Sequence, residues 1–299
     1  MSRHRAVALM LLVTLLWSSA GVVARHLQAA QGFEVTFWRS AFTALFMALA
    51  LTHLQGRRWL RSVLKAPRAV WLSGLCWAVM FTAFMQAIML TRVANVLVTM
   101  ALGPLLTALF ARLFLQHRMP THTWWAMALG SAGVALMFAL QMDMGAQHWR
   151  GMLIALAVPL AAATNWTVLQ HKARAASASA DEPDTMLCAL WMGALASALF
   201  TGAVMLFSRW SWSATPQDLL LLGGLGLFQL VLPCLLVVRL SRELPAPEIA
   251  LLGLLEVVLG VLWAWWGAGE APAAASLIGG GMVLAALAFN EAINIRAAR

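Results

Sequence analysis

Residues 101–120, ALGPLLTALFARLFLQHRMP, and residues 253–272, GLLEVVLGVLWAWWGAGEAP, decide how this chain is built. Each is an apolar run that ends in a tight turn carrying a charge and a proline. They align at a constant offset of 152, with Pro104 on Glu256, Arg118 on Glu270 and Pro120 on Pro272. Further on, Leu129-Gly130 parallels Ile278-Gly279 at an offset of 149. Two halves thus finish in the same unit: a helix, a charged turn, then a glycine-rich helix.

Working outward from these units, the 299 residues divide into ten apolar stretches, 6–24, 35–56, 69–91, 93–111, 123–142, 151–170, 185–207, 219–238, 249–269 and 271–290. A helix needs about 20 apolar residues to cross the hydrocarbon core. Helices are expected because each crossing segment must satisfy its own backbone hydrogen bonds, and the runs lack the alternation of barrel strands. The polar link 143–150 separates the stretches into two sets of five. Five is odd, so the second set enters from the opposite side to the first. The expected architecture is an all-α membrane protein of ten transmembrane helices in two inverted five-helix repeats, 1–142 and 151–299, joined by an outer (periplasmic) linker. Opposed repeats of this kind are the architecture of alternating-access carriers.

Composition agrees. The chain is 62% hydrophobic and 10% charged, with a mean hydropathy of +0.82, so lipid must solvate most of its surface. The net charge of +9 does not point to nucleic acid, because its distribution is one-sided. With the N-terminus in the cytoplasm, fifteen Lys and Arg fall on the cytoplasmic side and four (Arg25, Arg92, Arg150, Arg209) on the other, with Arg39 inside a span. That bias predicts cytoplasmic termini in a bacterial inner membrane. The basic stretch 57–68 suits anionic head groups. Residues 2–24 read as a permanent first helix, because the run exceeds a usual signal-peptide core. Residues 173–184 read as a flexible connector.

The residues around the aligned units resemble a known family. Pro104-Leu105, Arg118-Met119-Pro120, Gly130 and Gly133 in the first half, and Leu255-Glu256-Val257, Gly269-Glu270 and Leu277-Ile278-Gly279-Gly280 in the second, look like two copies of the EamA module of the drug/metabolite transporter superfamily. Leu16-Trp17-Ser18 and Phe37-Trp38-Arg39 add to the likeness, which spans nearly the whole chain. Arg118 departs from the pattern, which usually has Glu there, so no acidic role passes to that site. Within the superfamily the chain looks most like the YddG-type amino acid exporters.

A carrier needs a polar pocket near the bilayer midplane. Polar groups in spanning helices turn toward the bundle interior. The deep candidates for substrate binding are Trp17 and Ser18, Thr82 and Gln86, Asn95 and Thr99, Asn165 and Trp166, Gln229, and Glu256 with Trp263 seven residues later on the same face. Glu256 is a carboxylate well inside a span and is read either as a proton or amine site or as a structural group. Arg39 lies about one turn inside its span and is expected to snorkel outward or pair with Glu34; binding a substrate carboxylate is the other use. Trp17 and Trp166 read as an aromatic wall, and Trp191 as packing. Pro104, Pro159 and Pro233 are expected kinks or hinges.

Gly130, Gly133, Gly279, Gly280 and Gly281 read as helix contacts within the fold or between two copies in a homodimer. Trp59, Trp71, Trp124, Trp125, Trp149, Trp210 and Trp212 fall near the membrane borders, where indoles prefer to sit. Cys76, Cys188 and Cys234 are small packing residues in no metal-like spacing. No cofactor or metal is expected. Hydrolase and metalloprotease motifs are missing, and the seven histidines lie near span ends. The sequence therefore predicts a secondary transporter, not an enzyme. Its expected cargo is a small metabolite, an aromatic or other neutral amino acid, because no deep basic cluster serves a polyanion. Another small solute, or a non-transporting partner subunit, are the alternatives.

Overall fold

A computed structural model describes residues 3–56, 58–91, 93–116, 119–139, 149–176, 185–208, 211–269 and 271–297. Within them the chain is helical and contains no strand: α1 (Arg3–Ser18), α2 (Ala20–Ala24), α3 (Phe33–Gln55), α4 (Arg58–Leu64), α5 (Arg68–Leu90), α6 (Val93–Met100), α7 (Gly103–Leu115), α8 (Thr121–Phe138), α9 (Trp149–Ala176), α10 (Met186–Phe207), α11 (Pro216–Gly224), a π segment (Leu225–Val231), α12 (Leu232–Leu240), α13 (Ala246–Gly253), α14 (Leu255–Ala268) and α15 (Ala274–Ala297). Nine stretches among the described residues are long and apolar enough to cross a bilayer. The remaining expected span is α8, which opens on the polar turn Thr121-His122-Thr123. Most of the inter-half link, most of the 173–184 connector, Arg118, Trp210 and Glu270 lie outside the described residues.

Two spans are interrupted at the aligned units. One breaks at Ala101-Leu102, between α6 and α7, and the other at Leu254, between α13 and α14. Leu102 and Leu254 are 152 positions apart, the offset at which the two halves align. Pro104, expected as a mid-span kink, instead sits in the first turn of α7, where its missing N–H costs nothing. The freed Ala101 carbonyl accepts from Ser131 Oγ of α8 at 2.6 Å. Each broken span ends on a left-handed residue, Gln116 (φ 50°) and Gly269 (φ 70°).

Pro233 has a different consequence. It cannot donate to the Gln229 carbonyl, and the preceding turn widens to a π segment in which the Leu232 N–H reaches Leu227. Pro159 lies inside the continuous helix α9.

Small residues bring the helices together. A Cβ at Gly133 of α8 would lie 2.6 Å from the Gly279 carbonyl oxygen of α15, and Gly279 abuts the Gly133 carbonyl in return. With Ser276 Oγ donating to the Met137 carbonyl (3.1 Å) and His122 bonded to Asn294 (3.1 Å), this fixes α8 and α15 antiparallel. Gly130 faces Leu254, while Gly281 meets nothing within 4 Å. On α3 and α10, Ser40 bonds Ser197 (3.0 Å) and Gly202 abuts Phe37, so these two are antiparallel as well. α5 packs on α9 and α10; α1 packs on α12, α13 and α14; the π segment and α11 pack on α3; α6 and α7 pack on α9; and α7 packs on α13.

Both ends of the bundle are tied. At one end the buried Glu34 carboxylate accepts from the Ser213 and Ala214 backbone N–H groups and from Ser213 Oγ. Asp218, fully buried, accepts from the backbone N–H groups of Gln28, Ala29, Ala30 and Thr215. At the other end Arg3 bridges Glu248 and Glu291, and the Ala246 N–H donates to Gln170. There too Trp59 is 4% exposed, packed edge-on against Trp191, with its indole N–H on Thr52. Trp59 is thus a core residue and not a border anchor, because α4 folds back against the start of α10. Trp71, Trp125, Trp149 and Trp212 are exposed as expected.

Candidate functional site

The described side chains converge on the faces of α1, α3, α5, α9, α12 and α14 that look inward. Trp166 lies between Trp17 (ring centroids 6.3 Å apart) and Trp77 (5.5 Å), and Trp77 lies against Phe81 (5.6 Å). Ser18 holds the far side of this aromatic row. Its hydroxyl donates to the Leu15 carbonyl (2.8 Å) and accepts from the Trp263 indole at 2.9 Å. Trp17, Ser18, Trp166 and Trp263 are therefore brought together, as is Trp77, a residue not singled out from the sequence.

Arg39 does not snorkel, and it does not pair with Glu34. It is 3% exposed and donates from Nη2 to the Phe81 carbonyl at 3.1 Å, while its Nε has no partner. Glu34 is already saturated by the 213–214 backbone, so the expected pair cannot form. Next to Arg39 and Phe81, Ser197 Oγ bonds both Ser40 (3.0 Å) and Thr82 (2.9 Å). These three hydroxyls pin α3, α5 and α10 at the level of the guanidinium. The one available signal for this arrangement was the run of short hydroxyl side chains on three spans.

The other expected site residues are placed apart from this group or engaged locally. Asn165 is fully buried and accepts from Ser73 Oγ at 2.6 Å, a tie between α9 and α5. Asn95 donates to Thr91 Oγ1, and Thr99 donates to the Asn95 carbonyl, both within their own segment. Gln86 keeps a buried Nε2, and Gln229 a buried Oε1, without a partner. Glu256 is half-buried in the first turn of α14 and makes no salt bridge among the described residues. No cluster of metal-ligating residues and no disulfide occurs among the described residues.

The EamA-like transporter family matches residues 4–139 and 149–291, one copy in each half. The chain belongs to this family. It is a family of membrane transporters of the drug/metabolite transporter superfamily. A solved crystal structure of a protein aligns over 99% of both chains with a TM-score of 0.79 at 19% identity, a likeness of fold. None of the curated proteins matches the chain.

Proposed function

We propose that this family member is a ten-helix carrier of two inverted five-helix repeats that exports small metabolites, above all neutral or aromatic amino acids, across a bacterial inner membrane by alternating access. The observation that carries the reading is a symmetry of contacts. Exchange the halves, so that α1 maps to α9, α3 to α10, α5 to α11–α12, α6–α7 to α13–α14 and α8 to α15. The packing of α5 on α9 then becomes that of α12 on α1, and α5 on α10 becomes the π segment on α3. The packing of α6 and α7 on α9 becomes that of α13 and α14 on α1. Equivalent helices α3 and α10, and α8 and α15, run antiparallel, as inversion requires.

The two breaks fall at matching positions of the repeats. Broken helices are where carriers of this architecture bind their cargo. Trp17 on α1, Thr82 and Gln86 on α5, and Glu256 and Trp263 on α14 are half-buried, and their free faces would line a shared chamber, with Trp166 and Gln229 behind them. Glu34 and Asp218 tie the loops at the outer end, and the Arg3 cluster closes the cytoplasmic end, on which both termini lie. Gly281 faces open space and is the glycine left for a second copy of the chain.

The test is reconstitution of the purified protein in liposomes loaded with a mixture of labelled metabolites. Efflux of neutral amino acids, faster than from protein-free liposomes and without any partner protein, is expected. No solute leaving faster than the control would overturn the carrier reading.

A further inference from the structure

The short helix α4 lies where the chain meets the membrane surface. Phe33–Gln55 and Arg68–Ala87 are both long and apolar enough to cross, so α4 joins two crossings at one face of the bilayer. We propose that α4 is a docking site for an anionic phospholipid, with Arg58, Arg61 and Lys65 taking the phosphate and Leu60 and Leu64 lying along the acyl chains. Whether the protein carries any solute does not enter, because two flanking spans are enough.

A basic run alone would suit any anion, but the fold sorts this one into stripes. Trp59 and Val63, one turn apart, are buried in the main core. Trp59 packs edge-on against Trp191 of α10 and donates to Thr52 of α3, so this side of α4 is fixed to two spans. One position on, Leu60 and Leu64 are 49% and 82% exposed. One position further, Arg61 and Lys65 are exposed, and Arg58 is exposed on the opposite flank. Successive residues step about 100° around a helix. The leucine pair therefore lies between the core side and the cations. An interfacial helix has this arrangement, with apolar side chains toward the acyl layer and cations among the head groups.

Charge selects the head group. Residues 35–142 contain no Asp or Glu, so α4 has no acid near it along its own chain. Among the described residues no ion pair involves Arg58, Arg61, Lys65 or Arg68. A guanidinium fork matches phosphate oxygens in bidentate contacts. A zwitterionic head group offers the same oxygens but brings no net charge to balance these cations, whereas an anionic one does.

Native mass spectrometry of the purified protein from mixed micelles tests this, with phosphatidylglycerol and phosphatidylcholine of identical acyl chains as probes. Each cation beside an anionic surface contributes about fivefold, so wild type is expected to prefer phosphatidylglycerol by about tenfold or more. R58Q/R61Q/K65Q should lose most of that preference, and R58K/R61K should keep most of it. L60S/L64S, with the charges intact, should hold both lipids more weakly at an unchanged ratio. R112Q/R239Q/R296Q removes three exposed cations elsewhere and should behave as wild type. Glycerol 3-phosphate in large excess, a head group without chains, should not displace the lipid. D181N/E182Q/D184N, which removes the acids preceding α10, should leave retention unchanged.

Equal retention of the two lipids by wild type overturns the proposal. So does an equal loss in R58Q/R61Q/K65Q and R112Q/R239Q/R296Q, because overall charge and not this helix would then be responsible. Unaltered retention in L60S/L64S, or displacement by glycerol 3-phosphate, would make the site one for a soluble phosphate instead. A tenfold gain in D181N/E182Q/D184N would show that the chain's own acids occupy this face, and that too overturns it.

Discussion

A single methyl group at Gly133 tests how the two glycine-rich helices are joined. An alanine Cβ there would sit 2.6 Å from the Gly279 carbonyl oxygen, 3.0 Å from Met282 Cβ and 3.1 Å from Val283 Cγ2. Ordinary contact begins near 3.4 Å or beyond, so α8 and α15 would have to part by about 0.8 Å, and backbone on both sides leaves nothing softer to yield. Overpacking of this kind costs about 1–3 kcal/mol. The better helix propensity of alanine returns about 1 kcal/mol at most. G133A should therefore lower stability by up to about 2 kcal/mol, and G279A, facing Gly133 and the Met137 backbone N at 2.8 Å, by at least as much. G281A, with nothing within 4 Å, should be neutral or stabilising. The double variant G133A/G279A should cost less than the sum, because the first methyl opens the gap that the second would need. Unfolding followed by tryptophan fluorescence in mixed micelles reads all four. The packing argument fails if G133A matches G281A, or if the two losses add in full.

Four further outcomes follow from the same contacts. D218N leaves four backbone N–H groups competing for one acceptor oxygen, so it should cost about 2–3 kcal/mol and raise hydrogen exchange at Gln28–Ala30 while sparing the opposite end. R3Q should destabilise more than E291Q, since it strands Glu248, which is more buried than Glu291; denaturation of the two variants side by side at low salt checks the order. S18A and W263F each remove the same indole-to-hydroxyl bond, so both should slow efflux to a similar degree and the double variant should be no slower than either; a multiplicative effect would show that the bond is not what matters. In a variant lacking the three native cysteines, an impermeant thiol reagent applied from outside should label a cysteine at Gln217 and leave one at Arg61 untouched; labelling of both would end the proposed topology.

How far the sequence could be read follows from what lipid does to a helix. In water a helix shows its inner face by an apolar stripe, but here the outer face is apolar too. Phe207 is 89% exposed and Met10 fully buried, and nothing in their types distinguishes them. What remained legible was punctuation. Pro104, Glu256, Pro120 and Pro272 marked the repeat, and the breaks at Leu102 and Leu254 fall on its offset. Small residues were legible as well, and Gly133 and Gly279 meet each other, while Gly281, read the same way, meets nothing. The direction of a long side chain was not legible. Arg39 lies six residues from the start of α3, where a snorkelling side chain is the ordinary outcome, and Trp59 lies near the end of a span, where indoles usually rest. Both turned inward because of partners contributed by other spans. The Phe81 carbonyl and the Ser197 hydroxyl bridge hold the first, and Trp191 and Thr52 hold the second. Tertiary contacts between helices far apart in sequence settle such directions, and a single chain without its packing does not record them. The same reasoning explains Asn165. Its burial inside the membrane was foreseeable, but its carbonyl is satisfied by Ser73, ninety-two residues away, and only the packing of α5 on α9 decides that this amide ties two helices together.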